Sequence, residues 1–188
     1  MRCPYCGSPV HADAAECLAC RLSYPRTGAL LGAVPRLAPL VADTTRTLRV
    51  TEHARLKRRI TAIRRRFPQL ALQVAMHRFP VEHPFSMHVF WLFNAADFAG
   101  NIHRGKDNHA LLLAIDPDRG EAAIMPGYGL EGFLTEEALG HLLELAGPAW
   151  QTGRWADGVL RVLDGLELLL ETFAIEEEAA GHAVKDEY

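Results

Sequence analysis

After residue 20 the chain contains no cysteine, although 188 residues carry four of them. That absence excludes a disulfide framework for the bulk of the protein. No run of eighteen apolar residues occurs either. The richest stretch, Phe85 to Ala99, is broken by His88, Asn94 and Asp97, so no transmembrane helix is expected. No leader pattern precedes Cys3, because two residues cannot supply a charged region, an apolar core and a cleavage site. The expected compartment is therefore the cytoplasm. The net charge of −3 lacks the excess of a nucleic-acid binder or of an acidic tail protein. No Gly-Lys-Ser/Thr follows the glycine-rich stretch, no His-x-x-Glu-His pattern occurs, and no Ser or Cys nucleophile motif accompanies the nine histidines. What remains is an ordinary globular composition, 49% hydrophobic and 23% charged, sufficient for one domain plus a small module.

The cysteines form two pairs, Cys3-Pro-Tyr-Cys6 and Cys17-Leu-Ala-Cys20, separated by ten residues. Each Cys-x-x-Cys turn places two thiolates on one side of a metal, and four thiolates close a tetrahedral zinc shell. Such a shell leaves no position for water, so the expected zinc is structural. Two disulfides, or a redox pair, are the rival readings. The first needs an oxidising compartment and the second a preceding strand. Residues 3–10, 13–15 and 17 resemble the short zinc ribbons that cap multidomain bacterial chains, with Arg21 standing where that family usually has Gly.

Charge is unevenly spread. Residues 46–66 hold nine of the twenty Lys and Arg and one acid, Glu52, whereas residues 157–188 hold nine acids against Arg161 and Lys185. Residues 1–22 read as the ribbon. Residues 23–45, punctuated by Pro25, Pro35, Pro39, Gly28 and Gly32, read as a linker lying against something. Leu56, Ile60, Ile63 and Phe67 at helical spacing predict a helix over 52–67, stopped by Pro68. Leu70, Leu72, Val74 and Met76 alternate with smaller or polar residues, which predicts a strand. A helix is expected from Pro84 to about Ala99. Leu111-Leu112-Leu113-Ala114-Ile115 predicts a strand buried on both faces. Pro117-Asp-Arg-Gly120 is a type I turn leading to a return strand over 121–125. Thr135 caps a helix over 136–146, and a last helix runs from about Asp157 to Phe173. The remaining 176–188 form an acidic tail expected to fray. Strand–helix–strand implies a right-handed crossover, and the hairpin adds an antiparallel strand. The expected fold is α/β, a three-layer α/β/α sandwich around a small mixed sheet.

Residues 52–173 resemble the TPM domain family. The resemblance rests on Phe90-Trp-Leu-Phe-Asn94, Lys106-Asp107-Asn108 and Leu111 to Asp116. It continues in Gly127-Tyr-Gly-Leu-Glu131, Pro148 and Gly153-Arg-Trp-Ala-Asp-Gly158. It implies an α/β/α sandwich over 46–175, similarity to acid phosphatases, a divalent ion in a cleft beside the sheet in some members, and accessory roles in membrane-associated assemblies in others. This chain departs from the family pattern at His109, where Gly is usual, and at Thr135-Glu136, where Thr-Asp is frequent.

Asp107, Asn108, Asp116 and Glu131 are the candidates for that cleft, with calcium or magnesium as the implied ion and Asp107, Asp116 and Glu131 as its carboxylates. His103 or His109 could donate a proton in a phosphatase. Asp116 is expected at the carboxyl end of its strand and Asp107 at the other. Gly127, Gly129 and Gly132 read as a structural turn or as a close approach to phosphate. The basic residues between Arg55 and Arg66 read as a solvated face paired with the acidic C-terminus, or as a contact for an anionic surface. Nucleic acid is not expected, since the ribbon carries only Arg2 and Arg21 as bases. Two functions follow: an interaction or accessory module with a protein partner, or a divalent-metal phosphatase acting on phosphate esters.

Overall fold

The computed structural model describes residues 2–11, 14–96 and 108–183, with side chains up to 173. The element order is α1 (Tyr24–Leu31), β1 (Val41–Asp43), α2 (Val50–Arg66), β2 (Ala71–Met76), α3 (Phe85–Ala95), β3 (Ala110–Asp116), β4 (Glu121–Pro126), α4 (Glu136–Trp150) and α5 (Trp155–Ala183). The four strands form one sheet in the order β1-β2-β3-β4. β1, β2 and β3 are parallel, and β4 returns antiparallel to β3. All six residues of β2 and all seven of β3 are buried, as strands covered on both faces must be.

Side-chain alternation sorts the two faces. Leu72, Val74, Met76, Leu111, Leu113 and Ile115 point to the face where α2, α4 and α5 deliver Leu56, Ile60, Ile63, Leu142 and Leu163. Ala75, Leu112 and Ala114 point the other way, where α3 delivers Phe85, Val89 and Leu92. The three-layer α/β/α arrangement is thus present. The units β1–α2–β2 and β2–α3–β3 both join neighbouring parallel strands and step across the sheet in the same direction. Their helices lie on opposite faces, so the two crossovers have opposite hands, and one departs from the right-handed expectation.

The stretch expected as a linker is ordered structure. Ser23 caps α1 by accepting from Arg26 N, and β1 pairs in register with Val74 to Met76. Val74 N donates to Leu40 O and Gln73 Nε2 to Ala38 O, at 2.9 and 3.0 Å. The sheet therefore begins at Val41, ahead of the boundary expected at 46. Asp43 ends β1 by accepting from Thr45 N, Thr45 Oγ1 and Leu48 N at 3.0, 2.5 and 2.8 Å. That turn feeds directly into α2. At the other end of the chain, α4 continues past the expected stop at Ala146. Pro148 falls in its last turn, where the carbonyl it leaves unpaired belongs to exposed Glu144 and is open to water. α5 runs on through the expected acidic tail to Ala183.

Two tests follow from this packing. A Cβ on Gly158 would lie 2.0 Å from Trp150 Nε1, whereas a Cβ on Gly140 or Gly147 meets nothing within 4 Å. Gly158→Ala should cost about 1–3 kcal/mol by overpacking the α4–α5 corner, and Gly140→Ala should gain about 0.5–1 kcal/mol, measured by urea denaturation. A truncated chain beginning at Asp43 loses α1, whose Leu31 packs beside Met87, and most of β1. It should unfold at lower urea than one beginning at Ser23; equal midpoints would show that α1 and β1 contribute nothing to the core.

Candidate functional site

The two cysteine turns have matching backbone geometry. Cys3 O accepts from Gly7 N at 2.9 Å and Cys17 O from Arg21 N at 2.7 Å, while Cys3 N and Cys17 N donate to Ser8 O and Leu22 O. Each turn ends in the left-handed region, Gly7 at φ 73° and Arg21 at φ 61°. Gly reaches that region freely and Arg only with strain. Arg21 nevertheless holds the same geometry, with its side chain paired to Glu16 and its carbonyl accepting from Arg26.

The turns bring all four Sγ atoms within 4.8 Å of one another. Cys3 and Cys20 approach to 3.6 Å and Cys6 and Cys17 to 3.7 Å. A tetrahedron with metal–sulfur bonds of about 2.3 Å has edges of about 3.8 Å, so these residues fit a bound metal. The sulfurs are too far apart for disulfides, and all four cysteines are free. Hydrogen bonds from the Ser8 side chain and backbone hold the Cys6 thiol down at about 6, while burial pushes Cys20 up to about 12. A metal ion at the centre of the four sulfurs would replace thiol protons.

The cysteine module is seated on the domain. Cys3, Cys17 and Leu22 bury the α3 side chain Met87, with Leu31 of α1 packed alongside. Ser86 Oγ donates to Pro4 O at 2.6 Å.

The expected acidic cleft does not assemble from Asp116 and Glu131. Asp116 ends β3, opposite Glu121, while Glu131 follows β4 beyond the other end of β3, where Leu111 pairs with Pro126. Six residue steps of strand, about 20 Å, separate the two ends. Asp116 is 1% exposed and its carboxylate is already engaged. Oδ2 accepts from Phe79 N at 2.8 Å, and Oδ1 from Asp118 N and Arg119 N at 3.0 and 3.2 Å. Glu131 is exposed. Asp107 and His103 lie outside the described residues. His109 is half-buried just before β3, where its carbonyl accepts from Ala71 N. Among the described residues, only the four cysteines form a cluster able to hold a metal.

Asn108 stands at the Glu131 end and organises the glycine loop. Its Oδ1 accepts from Ala110 N at 2.9 Å and its carbonyl from Gly129 N at 3.0 Å. A Cβ on Gly127 would lie 2.4 Å from that carbonyl. Gly127 therefore serves a close contact within the chain. The basic helix is paired as the charge pattern implies. Arg55 meets Asp157 at 3.3 Å, Arg59 meets Asp164 and Glu167 at 2.7 and 2.5 Å, and Arg66 pairs with Glu171. Lys57, Arg58, Arg64 and Arg65 make no ion pair among the described residues. Among those residues no helix is long and apolar enough to cross a membrane.

A group missed in the sequence lies at the carboxyl end of β2. His77, His83 and His88 line a cavity of about 250 Å³ between α1, α3 and the loop after β2. The sequence signal was present, three histidines within twelve residues after a strand, but nothing in their spacing showed that they share one wall.

Comparison with known proteins places this geometry. No curated protein matches the chain. A similar solved structure is the solution NMR structure of the N-terminal domain of a protein from P. gingivalis. It is 23% identical, covers 71% of this chain and 82% of its own, and has a TM-score of 0.56. At that identity it supports the fold alone. The family model of the TPM domain matches residues 41–168, from the first residue of β1 into α5. By that match, and with the sheet order and covering helices described above, the chain belongs to the TPM domain family.

Proposed function

We propose that the chain is a cytoplasmic interaction or accessory module, in which a structural zinc ribbon is seated on a TPM domain and the pair presents one surface to a protein partner. One observation carries this reading. The only convergent metal-ligand set among the described residues is four thiols, and a closed thiolate shell holds structure without catalysing. Zinc is the metal this donor set suits best, with Cys3, Cys6, Cys17 and Cys20 as its ligands. Exposed apolar side chains on and beside the ribbon, Tyr5, Leu18 and Val81 at 45%, 85% and 76%, support a protein partner. The basic stripe of α2 that makes no ion pair among the described residues offers a second contact for an anionic surface.

The phosphatase reading needs Asp107, Asp116 and Glu131 around one calcium or magnesium ion. The separation of Asp116 from Glu131, and the three backbone donors already on Asp116, count against that ligand set.

Three measurements check these statements. Protein purified under reducing conditions without chelator should carry one zinc per chain by elemental analysis, and Cys17→Ser should lose it and melt at lower temperature; metal-free wild type would overturn the ribbon assignment. Millimolar calcium or magnesium should leave the melting temperature unchanged and elicit no hydrolysis of phosphate esters. A calcium-dependent rise that Asp107→Asn abolishes would restore the enzyme. Asp116→Asn should destabilise the protein with or without divalent ions, because its amide would face a backbone N–H. Each orphaned buried donor costs about 1–3 kcal/mol, readable as a lowered urea midpoint.

A further inference from the structure

The cavity at the carboxyl end of β2 has no part in the reading above. Ligands of open α/β sheets gather outside the carboxyl ends of parallel strands, and this cavity sits there. His77 directly follows β2, and Phe79, which lines the cavity, is held through its N–H by Asp116 at the end of β3. The opposite wall comes from Leu30, Leu31, Ala33 and Pro35, all of which precede the family match at 41–168. The site is therefore completed by this chain's own N-terminal segment.

Its chemistry is mixed, apolar and polar. Leu31, Phe79 and Leu92 supply apolar wall, and three imidazoles and the Trp91 indole supply polar wall. His88 Nε2 is committed to Pro80 O at 3.0 Å, and His77 Nδ1 lies 2.6 Å from Thr44 Oγ1. His83 Nδ1 and Trp91 Nε1 are buried in the wall without a hydrogen-bond partner. Leaving such atoms unpaired is unfavourable, and a guest oxygen that meets either atom recovers part of that cost. The nearest guanidinium is occupied. Arg119 donates to Pro80 O and His83 O and pairs with Glu121. Glu82 adds a carboxylate to the rim. Among the described lining residues, an anionic guest would thus meet a carboxylate and no lysine or arginine. The three histidines do not converge as metal ligands.

We propose that this cavity binds a small neutral molecule with an apolar body and a hydroxyl or carbonyl head, the head reaching the Trp91 indole and the histidine wall. Burial holds His77 and His88 below the ordinary imidazole range, against the pull of Asp116 on His77 and with Arg119 and the neighbouring histidines adding to the effect on His88. Both rings are uncharged at neutral pH, and they charge as pH falls.

The test uses the full chain and NMR. The indole N–H signal of Trp91, identified by its loss in Trp91→Phe, is followed while phenol, benzene or benzoate is added. Phenol should shift that signal saturably, and benzene should bind about tenfold more weakly, the worth of one net hydrogen bond. Phenol affinity should fall as pH is lowered from 7 and the two histidines charge. Ala33→Trp, a change at an exposed rim position, should abolish the shift without lowering the melting temperature. Absence of a saturable shift with any probe, a preference for benzoate, or undiminished binding in Ala33→Trp would overturn the proposal. None of these outcomes bears on zinc content or on calcium response, so this site and the module reading fail separately.

Discussion

Covering the second face of the sheet is the constraint on which the rest of the molecule depends. Four strands spaced about 4.8 Å apart make a surface nearly 20 Å wide, and one helix with its side chains covers about 10 Å of it. On one face α2, α4 and α5 supply ample cover. On the other, α3 is the one helix that the described residues of the matched domain supply. The remainder is filled from the N-terminal segment: Val34 and Leu37 pack on the α3-side core, α1 lies along α3 with Gly28 against the Trp91 ring, and the cysteine turns close over Met87. The ribbon and the segment after it are thus part of the packing, and the histidine-lined cavity lies where this borrowed cover stops short.

The same constraint explains why some elements were legible in the sequence and others were not. Ribbon spacing, the Thr135 cap, the Leu111–Ile115 run and the Pro117–Gly120 turn are local signals, each fixed by the chemistry of a few adjacent residues. β1 is three residues long and closely follows Pro35 and Pro39, too short for a period of two to show. It exists because Leu40 and Asp43 tie it to β2 and to the α2 turn. The Ser23 cap was equally local, yet Gly28 and Gly32 concealed it. Gly28 reads as a helix breaker, but a Cβ there would lie 2.8 Å from Trp91, so its reason is a contact with a residue 63 positions away (91 − 28).

Site residues divide along the same line. The cysteine ligands were readable because their spacing is itself the site. Asp107, Asp116 and Glu131 were grouped by chain order and resemblance, but the return strand β4 lies between the last two, and its six residues carry the chain back to the other end of the sheet. Residues at opposite ends of a strand look as close in sequence as residues at one end. The opposite hands of the two crossovers were hidden for a similar reason. Handedness depends on which face each helix covers, and α2 and α3 both have apolar positions that fit either face.

Charge shows how a compositional pattern becomes a structural one. The basic run of α2 and the acidic run of α5 lie side by side, so Arg55, Arg59 and Arg66 find Asp157, Asp164, Glu167 and Glu171. Exposed pairs of this kind are worth about 0–1 kcal/mol each, small beside the burial of Leu56, Ile60 and Ile63 beneath them, at about 1.5–3 kcal/mol per side chain. The apolar face therefore docks α2, and the ion pairs set which helix it docks against and in what register. Arg59 is the one arginine of the set with a mostly covered side chain, 24% exposed, and its partner Glu167 is 18% exposed. Between those two side chains water screens least, so the register between α2 and α5 is held most firmly at Arg59, in the middle of the helix, and less so at Arg55 and Arg66 towards its ends.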